Sequence, residues 1–236
     1  MKNKYILLIL LALPLYSFSG GIRINLLSGY GNYSMTDLKI FNDLMIQNLP
    51  LPVRQMENFP AYWYYQGSVQ FGLSKNLNMG PMYAWHSSGS RLSLADYTGS
   101  YVFDNLIHSH QAGLALDYNL FSNNNFSIQV YTNGGIIFSR VKMTEVLKMN
   151  NPEDSTIENL NFKSTGYFAE PGISFRYIFK FIEPGIQFGY HIPVSDKGLV
   201  NMDNNQKLYM NDGRQVKAGW DGIRLGLNLG IYLTGK

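Results

Sequence analysis

The sequence contains no cysteine, so neither disulfides nor thiolate metal sites can contribute to the fold, and the export signal is not that of a lipoprotein. Charged residues are also scarce, at 15% of the chain, which is low for a water-soluble surface. After the N-terminus, no apolar run reaches the ~18 residues of a transmembrane helix. A membrane location would therefore require transmembrane strands.

The N-terminus has the pattern of a secretory signal peptide. Lys2 and Lys4 precede an apolar run over residues 5–15, and small residues follow at 17–20. The run is too short for an anchor helix, which needs about 20 residues. We therefore predict a signal peptide over residues 1–19 and an exported domain over residues 20–236. Cleavage lowers the basic count from 19 to 17 against 16 acidic residues, and this near-neutral balance argues against a nucleic-acid partner.

Alternation of apolar and polar residues is clearest near the C-terminus. From Ile223 to Leu233 every second residue is Ile or Leu, and only a strand places such residues on one face. Seven similar segments precede it, at about 22–34, 61–74, 77–87, 105–121, 126–142, 162–179 and 182–193. Each is long enough for a tilted membrane crossing of about 9–11 residues.

The connections between these segments alternate between long and short. The long ones cover about 35–60, 88–104, 143–161 and 194–216, and the short ones lie near 75–76, 122–125 and 180. This alternation is typical of bacterial outer-membrane barrels. We therefore predict an all-β fold, an eight-stranded antiparallel up-and-down transmembrane β-barrel with short periplasmic turns and four long extracellular loops. In the first loop, Ser34-x-x-Asp37 precedes apolar residues at helical spacing, which predicts a short amphipathic helix over 35–47.

The two registers of the predicted strands differ in polarity. The apolar register contains no charge within the strand cores, and a charge at the bilayer midplane would cost roughly 2–4 kcal/mol. The opposite register is rich in Gly, Ser, Asn and Gln. It also contains six charges that predict a charge network in the lumen: Arg23, Asp117, Glu170, Arg176, Glu183 and Arg224. Three acids facing three bases satisfy the need of buried charges for partners.

The positions of these charges along the strands predict two layers. Arg23, Asp117, Arg176 and Glu183 fall near the periplasmic rim, whereas Glu170 and Arg224 fall higher. Eight strands leave room for little besides side chains, so the lumen is predicted to be plugged. The residues predicted to fill the space between the layers are Tyr62, Tyr64, Gln66, Gln129 and Tyr131.

In this architecture the chain resembles the small outer-membrane barrel families related to OmpA, OmpX and OmpW, and the generic barrel domain of Bacteroidota-type bacteria. The resemblance covers nearly the whole mature chain. Two features depart from it. The chain ends on Thr234-Gly235-Lys236, where such barrels usually end on an aromatic residue. Pro81, Pro171 and Pro184 lie within predicted strands, where each removes a backbone donor and predicts a bulge or a local break.

Among membrane roles, the sequence favours a non-enzymatic barrel that serves as a structural or interaction element. Outer-membrane lipid and lipopolysaccharide are its predicted surroundings, and a protein partner is predicted to contact the extracellular loops. No cofactor, metal or catalytic residue is assigned. The alternatives are an OmpW-like passage for small hydrophobic molecules, a lipid-modifying enzyme and a soluble lipocalin-like carrier. The enzyme alternative depends on His86-Ser87-Ser88, whose His-x-Ser spacing looks like that of lipid A deacylases. In His108-Ser109-His110, two imidazoles without a third ligand are weak evidence for a metal site.

Overall fold

The computed structural model describes residues 21–97, 99–149, 153 and 155–233, and the predicted signal peptide over 1–19 lies outside them. Within the described ranges, no helix is long and apolar enough to cross a membrane. The helix α1 spans Thr36–Asn48. The strands are β1 (Ile22–Tyr33), β2 (Arg54–Asn58), β3 (Tyr62–Gly72), β4 (Leu77–Ala95), β5 (Gly99–Ser122), β6 (Phe126–Met149), β7 (Thr156–Tyr177), β8 (Ile182–Asp196), β9 (Val200–Asn201) and β10 (Gly222–Tyr232).

Eight of these strands close into an antiparallel barrel. Their order around the ring is β1, β3, β4, β5, β6, β7, β8 and β10, and β10 pairs again with β1. The closing pair runs from Arg23 opposite Tyr232 to Tyr33 opposite Gly222. Closure satisfies the backbone groups that an open sheet edge would expose. The prediction of an eight-stranded outer-membrane barrel is confirmed.

The strands β4 to β7 continue well beyond the predicted membrane segments. β4 runs on to Ala95 and β5 begins at Gly99, while β6 runs on to Met149 and β7 begins at Thr156. The loops predicted over 88–104 and 143–161 are therefore mostly long β-hairpins. The physical reason is that apolar residues on the inward face of these extensions, such as Leu92, Phe103 and Met143, find a packing partner and are buried.

The barrel is apolar outside and polar inside. Outward-facing Leu26, Leu114 and Phe188 are exposed, and Leu227 is 70% exposed, whereas inward-facing polar side chains are almost fully buried. A lipocalin-like carrier has the reverse arrangement, with its apolar face lining a cavity. An apolar outer band around a polar interior is the arrangement of a barrel that is solvated by lipid. The chain is therefore an outer-membrane β-barrel protein.

An apolar core closes the extracellular end of the barrel. Helix α1 and residues 197–221, together called the cap, pack against the inward faces of the extended hairpins. The two residues that precede α1 bind residues 197–221 through the backbone, from Ser34 N–H to Asp221 O (2.8 Å) and from Met35 N–H to Gly219 O (3.0 Å). The buried members of this core include Met35, Leu38, Leu92, Phe103, Val141, Met143, Phe162, Leu199, Val216 and Trp220.

Two of the three strand prolines coincide with gaps in the ladders. The β3–β4 pairing is interrupted between Ser68–Met82 and Phe71–Met79, at Pro81, and the β7–β8 pairing is interrupted at Pro171. The register on both sides of each gap is the same, so these are local breaks and not bulges. Pro184 pairs with Leu229 of β10, at the periplasmic end of β8, where the β7–β8 pairing has already ended.

Candidate functional site

The lower part of the lumen is filled by a charge layer near the periplasmic rim. Arg23 forms ion pairs with Asp117 and with Glu183, the latter at 3.6 Å between Nη1 and Oε2. Arg176 donates to Asp117 Oδ2 (3.1 Å) and to Asn25 Oδ1 (2.8 Å). All four charged side chains are buried. The structure therefore brings together the four residues that the sequence places near this rim.

A second charge layer lies toward the extracellular side. Arg224 pairs with Glu170, and both residues are fully buried. Tyr131 donates its hydroxyl to Glu170 Oε1 (3.1 Å). The Arg224 guanidinium lies 5.1 Å from the ring centroid of Tyr64 and 5.5 Å from that of Tyr33, in cation–π geometry.

The two layers together balance their charge. In the described part of the chain, the buried charged residues are three arginines and three acids, the same six that the sequence predicts to face inward. A cavity of about 10 Å³ lies between the layers. That space holds at most about one water molecule. The arrangement places paired side chains across this part of the lumen.

The filling between the layers differs from the prediction at one residue. Tyr64, Gln129 and Tyr131 are buried and Gln66 is half-buried. Tyr62, in contrast, is 50% exposed, because it begins β3 at the extracellular end, where its β1 neighbour is Gly31. The lumen filler therefore starts at Tyr64.

Glycines make room for the largest of these fillers. Gly172 of β7 and Gly189 of β8 lie directly opposite each other in the sheet. A side chain at either position would collide with the Tyr131 ring or hydroxyl. The sequence Glu-Pro-Gly occurs twice, at 170–172 in β7 and at 183–185 in β8, and the two copies have different roles. Gly172 follows Glu170 and accommodates Tyr131, whereas Glu183 of the second copy belongs to the lower charge layer.

His86 lies in the lumen and not at the outer rim. Arg224 Nη2 donates to His86 Nε2 (3.2 Å), and the Tyr33 hydroxyl lies 2.9 Å from Nδ1. With Nε2 accepting a hydrogen bond, the neutral imidazole carries its proton on Nδ1. Ser88 donates its own hydroxyl to Pro60 O (3.2 Å). These partners link His86 to the upper charge layer and Ser88 to a loop carbonyl.

His108 and His110 lie on the outward face. His110 Nδ1 hydrogen-bonds the Tyr83 hydroxyl (2.6 Å), and the His108 ring stacks on Trp85 with centroids 5.8 Å apart. Both therefore belong to the aromatic girdle of the membrane interface. Across the described ranges, no group of three or more His, Asp or Glu side chains is arranged to hold a metal ion.

Three residues of the upper lumen were missed by the sequence reasoning. His191 lies 2.8 Å from the Gln111 amide and stacks on Phe168. Trp220 donates its indole N–H to Ser139 Oγ (2.8 Å) and packs edge-on against Tyr33. The inward alternation of β8 and β1 identifies His191 and Tyr33 as lumen residues. Trp220 precedes β10 in a segment without periodicity, so no signal in the sequence identifies it.

The outer surface carries one hollow of note within the apolar band. It has a volume of about 550 Å³, and its lining includes Gly67, Leu26, Tyr65, Trp85 and Leu227. A Cβ atom added at Gly67 would find its nearest neighbour, Leu26 Cδ2, at 3.9 Å. The absence of a side chain at Gly67 therefore leaves space that contributes to this hollow.

No protein-family model and no curated protein matches the sequence. Similar solved structures include the outer membrane protease OmpT from Escherichia coli, with 11% identity, a TM-score of 0.41 and coverage of 92% of this chain and 98% of that chain. Ail, the attachment invasion locus protein of Yersinia pestis, has 9% identity, a TM-score of 0.37 and coverage of 90% and 97%. The N-terminal β-barrel domain of Pseudomonas aeruginosa OprF has 11% identity, a TM-score of 0.32 and coverage of 91% and 100%.

Proposed function

We propose that this chain is a non-enzymatic outer-membrane barrel with a plugged lumen that acts as a structural or interaction element. The closed lumen carries the proposal. Two neutral charge layers, a cavity of about 10 Å³ between them and an apolar cap above them fill the interior. The surfaces through which such a barrel can act are its extracellular hairpins and its lipid-facing wall.

The partners of His86 and Ser88 support a role without catalysis. A serine nucleophile needs a base within about 3 Å of its hydroxyl. Here His86 Nε2 accepts from Arg224, and the Ser88 hydroxyl donates to Pro60. In a lipid-modifying reaction, His86 would have to release Arg224, Ser88 would have to release Pro60, and the two side chains would have to bind each other.

The long hairpins supply the interaction surface. β5 contains 24 residues, although about 9–11 cross a membrane, so the β4–β5 hairpin projects far beyond the lipid. Tyr97 at its tip is 90% exposed. A large aromatic residue with one polar atom is the residue type that protein interfaces favour. The proposed partner is a protein that contacts this tip, while lipopolysaccharide and other outer-membrane lipid surround the wall.

Site-specific photocrosslinking in cells tests this role. A photoreactive amino acid replaces Tyr97 at the hairpin tip, and matched controls carry it at Leu227 on the lipid face or at Lys180 in a periplasmic turn. We expect discrete protein adducts from position 97 and none of the same mass from either control. A tip that yields no protein adduct, in cells where the barrel is folded, would contradict the interaction role.

The hollow at Gly67 favours a second candidate function, the binding of a small hydrophobic molecule at the barrel wall. Its test is a fluorescent apolar reporter, N-phenylnaphthylamine, added to the barrel in detergent. Under this alternative, Gly67→Phe fills the hollow and lowers the bound fluorescence, whereas Thr132→Phe on the outward face of β6, away from the hollow, leaves it unchanged. Equal fluorescence from both variants would remove this candidate.

A further inference from the structure

Four basic side chains gather on the outward face of β6, β7 and the end of β8. Arg140 and Lys163 are directly opposite each other in the β6–β7 register, and Lys142 lies two residues further along β6. Lys197 follows β8, and its N–H donates to Thr165 O (3.2 Å), which places it beside β7. Arg140, Lys142, Lys163 and Lys197 are called the cation row.

The cation row points away from the barrel. All four residues are exposed, whereas the residues that flank Arg140 and Lys163 along the chain are buried. Side chains directly opposite each other in a sheet have Cβ atoms about 4.5–5.5 Å apart, and like charges at this distance are destabilising. The ion pairs found in the described part of the chain use Arg23, Arg91, Arg176, Arg214 and Arg224, and none uses the cation row. No ion pair among the described residues neutralises Arg140 and Lys163, whereas Lys142 borders a hollow that Asp104 and Glu57 also line.

The cation row borders the apolar band directly. Phe138 is two residues before Arg140 on the same face of β6 and is 47% exposed, and Tyr167 lies four residues after Lys163 on the same face of β7 and is 55% exposed. Two residues of strand span about 7 Å, so the charges lie at the depth of lipid headgroups. His108, stacked on Trp85, pairs with Arg140 from the β5 side. Aromatic rings below and cations above form an amphipathic surface.

The side of the barrel formed by β1, β3 and β10 lacks this surface. The outward registers of β1, β3 and β10 contain no charged residue; their extracellular halves carry residues such as Tyr30, Trp63 and Ile223. A general attraction to an anionic membrane would not require four cations on neighbouring strands. The clustering fits a ligand that offers more than one negative charge at a single place.

We propose that the cation row binds the phosphate groups of an anionic glycolipid of the outer leaflet. Phosphate oxygens bridge neighbouring cations, and the Arg140 guanidinium can bind two of them at once. The acyl chains of the same lipid would lie along Phe138 and Tyr167, which is why a lipid and not a free phosphate fits the site. The inference rests on the proposed interaction role and names one partner of the barrel and its binding site.

Lipid retention by the purified barrel tests the site. The full chain is folded in phosphatidylcholine vesicles that contain bis-phosphorylated lipid A or, in parallel, chemically dephosphorylated lipid A. After extraction in mild detergent, native mass spectrometry measures the lipid bound per barrel. Each cation near an anionic surface contributes a factor of about five in affinity, so Arg140→Gln with Lys163→Gln should lower lipid A retention by well over tenfold. The matched control, Lys75→Gln with Lys180→Gln in the periplasmic turns, should retain lipid A like the wild type.

A charge-reversing variant separates binding from folding. Lys163→Glu replaces the like-charge pair with an ion pair to Arg140, so the barrel should fold at least as well as the wild type while it loses lipid A. Two outcomes would overturn the site and leave the interaction role intact. In the first, a folded barrel retains phosphorylated and dephosphorylated lipid A equally. In the second, the periplasmic control loses as much lipid A as the cation-row variant. Displacement of lipid A by millimolar inorganic phosphate would overturn the choice of a lipid ligand. Crosslinks from Tyr97 remain the separate test of the interaction role.

Discussion

At the scale of residues, removing one partner of the Arg224–Glu170 pair is predicted to cause the largest loss of stability. Arg224→Ala leaves the carboxylate of fully buried Glu170 with the Tyr131 hydroxyl as its hydrogen-bond partner. The free energy of unfolding, measured in urea on the barrel in vesicles, should fall by about 3–5 kcal/mol. Removing both partners with Arg224→Ala and Glu170→Ala should cost less than the single change. Arg91→Ala, which breaks an exposed pair with Asp104, is the control and should cost less than about 1 kcal/mol.

The packing of Tyr131 against glycine gives a second prediction for single residues. Gly189→Ala places a methyl group against the Tyr131 hydroxyl and should destabilise the barrel by about 1–3 kcal/mol, as overpacking does. Tyr131→Phe removes that hydroxyl, so the double variant should recover part of the loss in the same urea titration. Gly67→Ala, which adds the same methyl group on the open outer face, should leave stability nearly unchanged. Equal effects of Gly189→Ala and Gly67→Ala would contradict the tight packing.

At the scale of elements, the alternation of β10 predicts opposite tolerances for adjacent residues. Leu227 faces lipid at 70% exposure, whereas Asn228 is 5% exposed and donates to Ser174 Oγ (3.0 Å). Leu227→Arg should lose roughly 2–4 kcal/mol of insertion free energy and should strongly reduce the folded fraction, whereas Asn228→Ser should reduce it slightly. The heat-dependent shift of the folded barrel on a denaturing gel measures that fraction. If both variants fold equally, the assigned register is wrong.

The elements also show where sequence reasoning succeeds and where it fails. The alternation from Ile223 to Leu233 has one solution, because a strand alone separates the two faces, and the six inward charges follow from the same parity. The hairpin extensions were not predicted, since residues such as Leu92 and Phe103 become a buried face only when the cap covers them. The cap itself joins Met35 to Gly219, and a contact across that sequence distance has no local signal.

At the scale of the whole molecule, the proposed plug consists of two separate parts of one lumen, the cap and the charge layers. The cap is built from α1 and residues 197–221, whereas the layers are built from strand residues alone. Opening one part therefore leaves the other in place. Under the proposed function, this redundancy would distinguish the barrel from a porin, in which a wide interior is narrowed by loops.

The last prediction is that the intact barrel does not conduct ions in planar bilayers. A conducting path would have to pass Trp220 and Tyr33 under the cap, then Arg224–Glu170, then the lower layer around Asp117. The cavity of about 10 Å³ between the layers is smaller than a hydrated ion, and separating either ion pair would cost several kcal/mol. Replacement of the exposed cap turn 203–206 by Gly-Ser should therefore leave the recordings silent, because the charge layers remain. Sustained porin-like steps from the wild type would refute the plug and, with it, the proposed structural or interaction role.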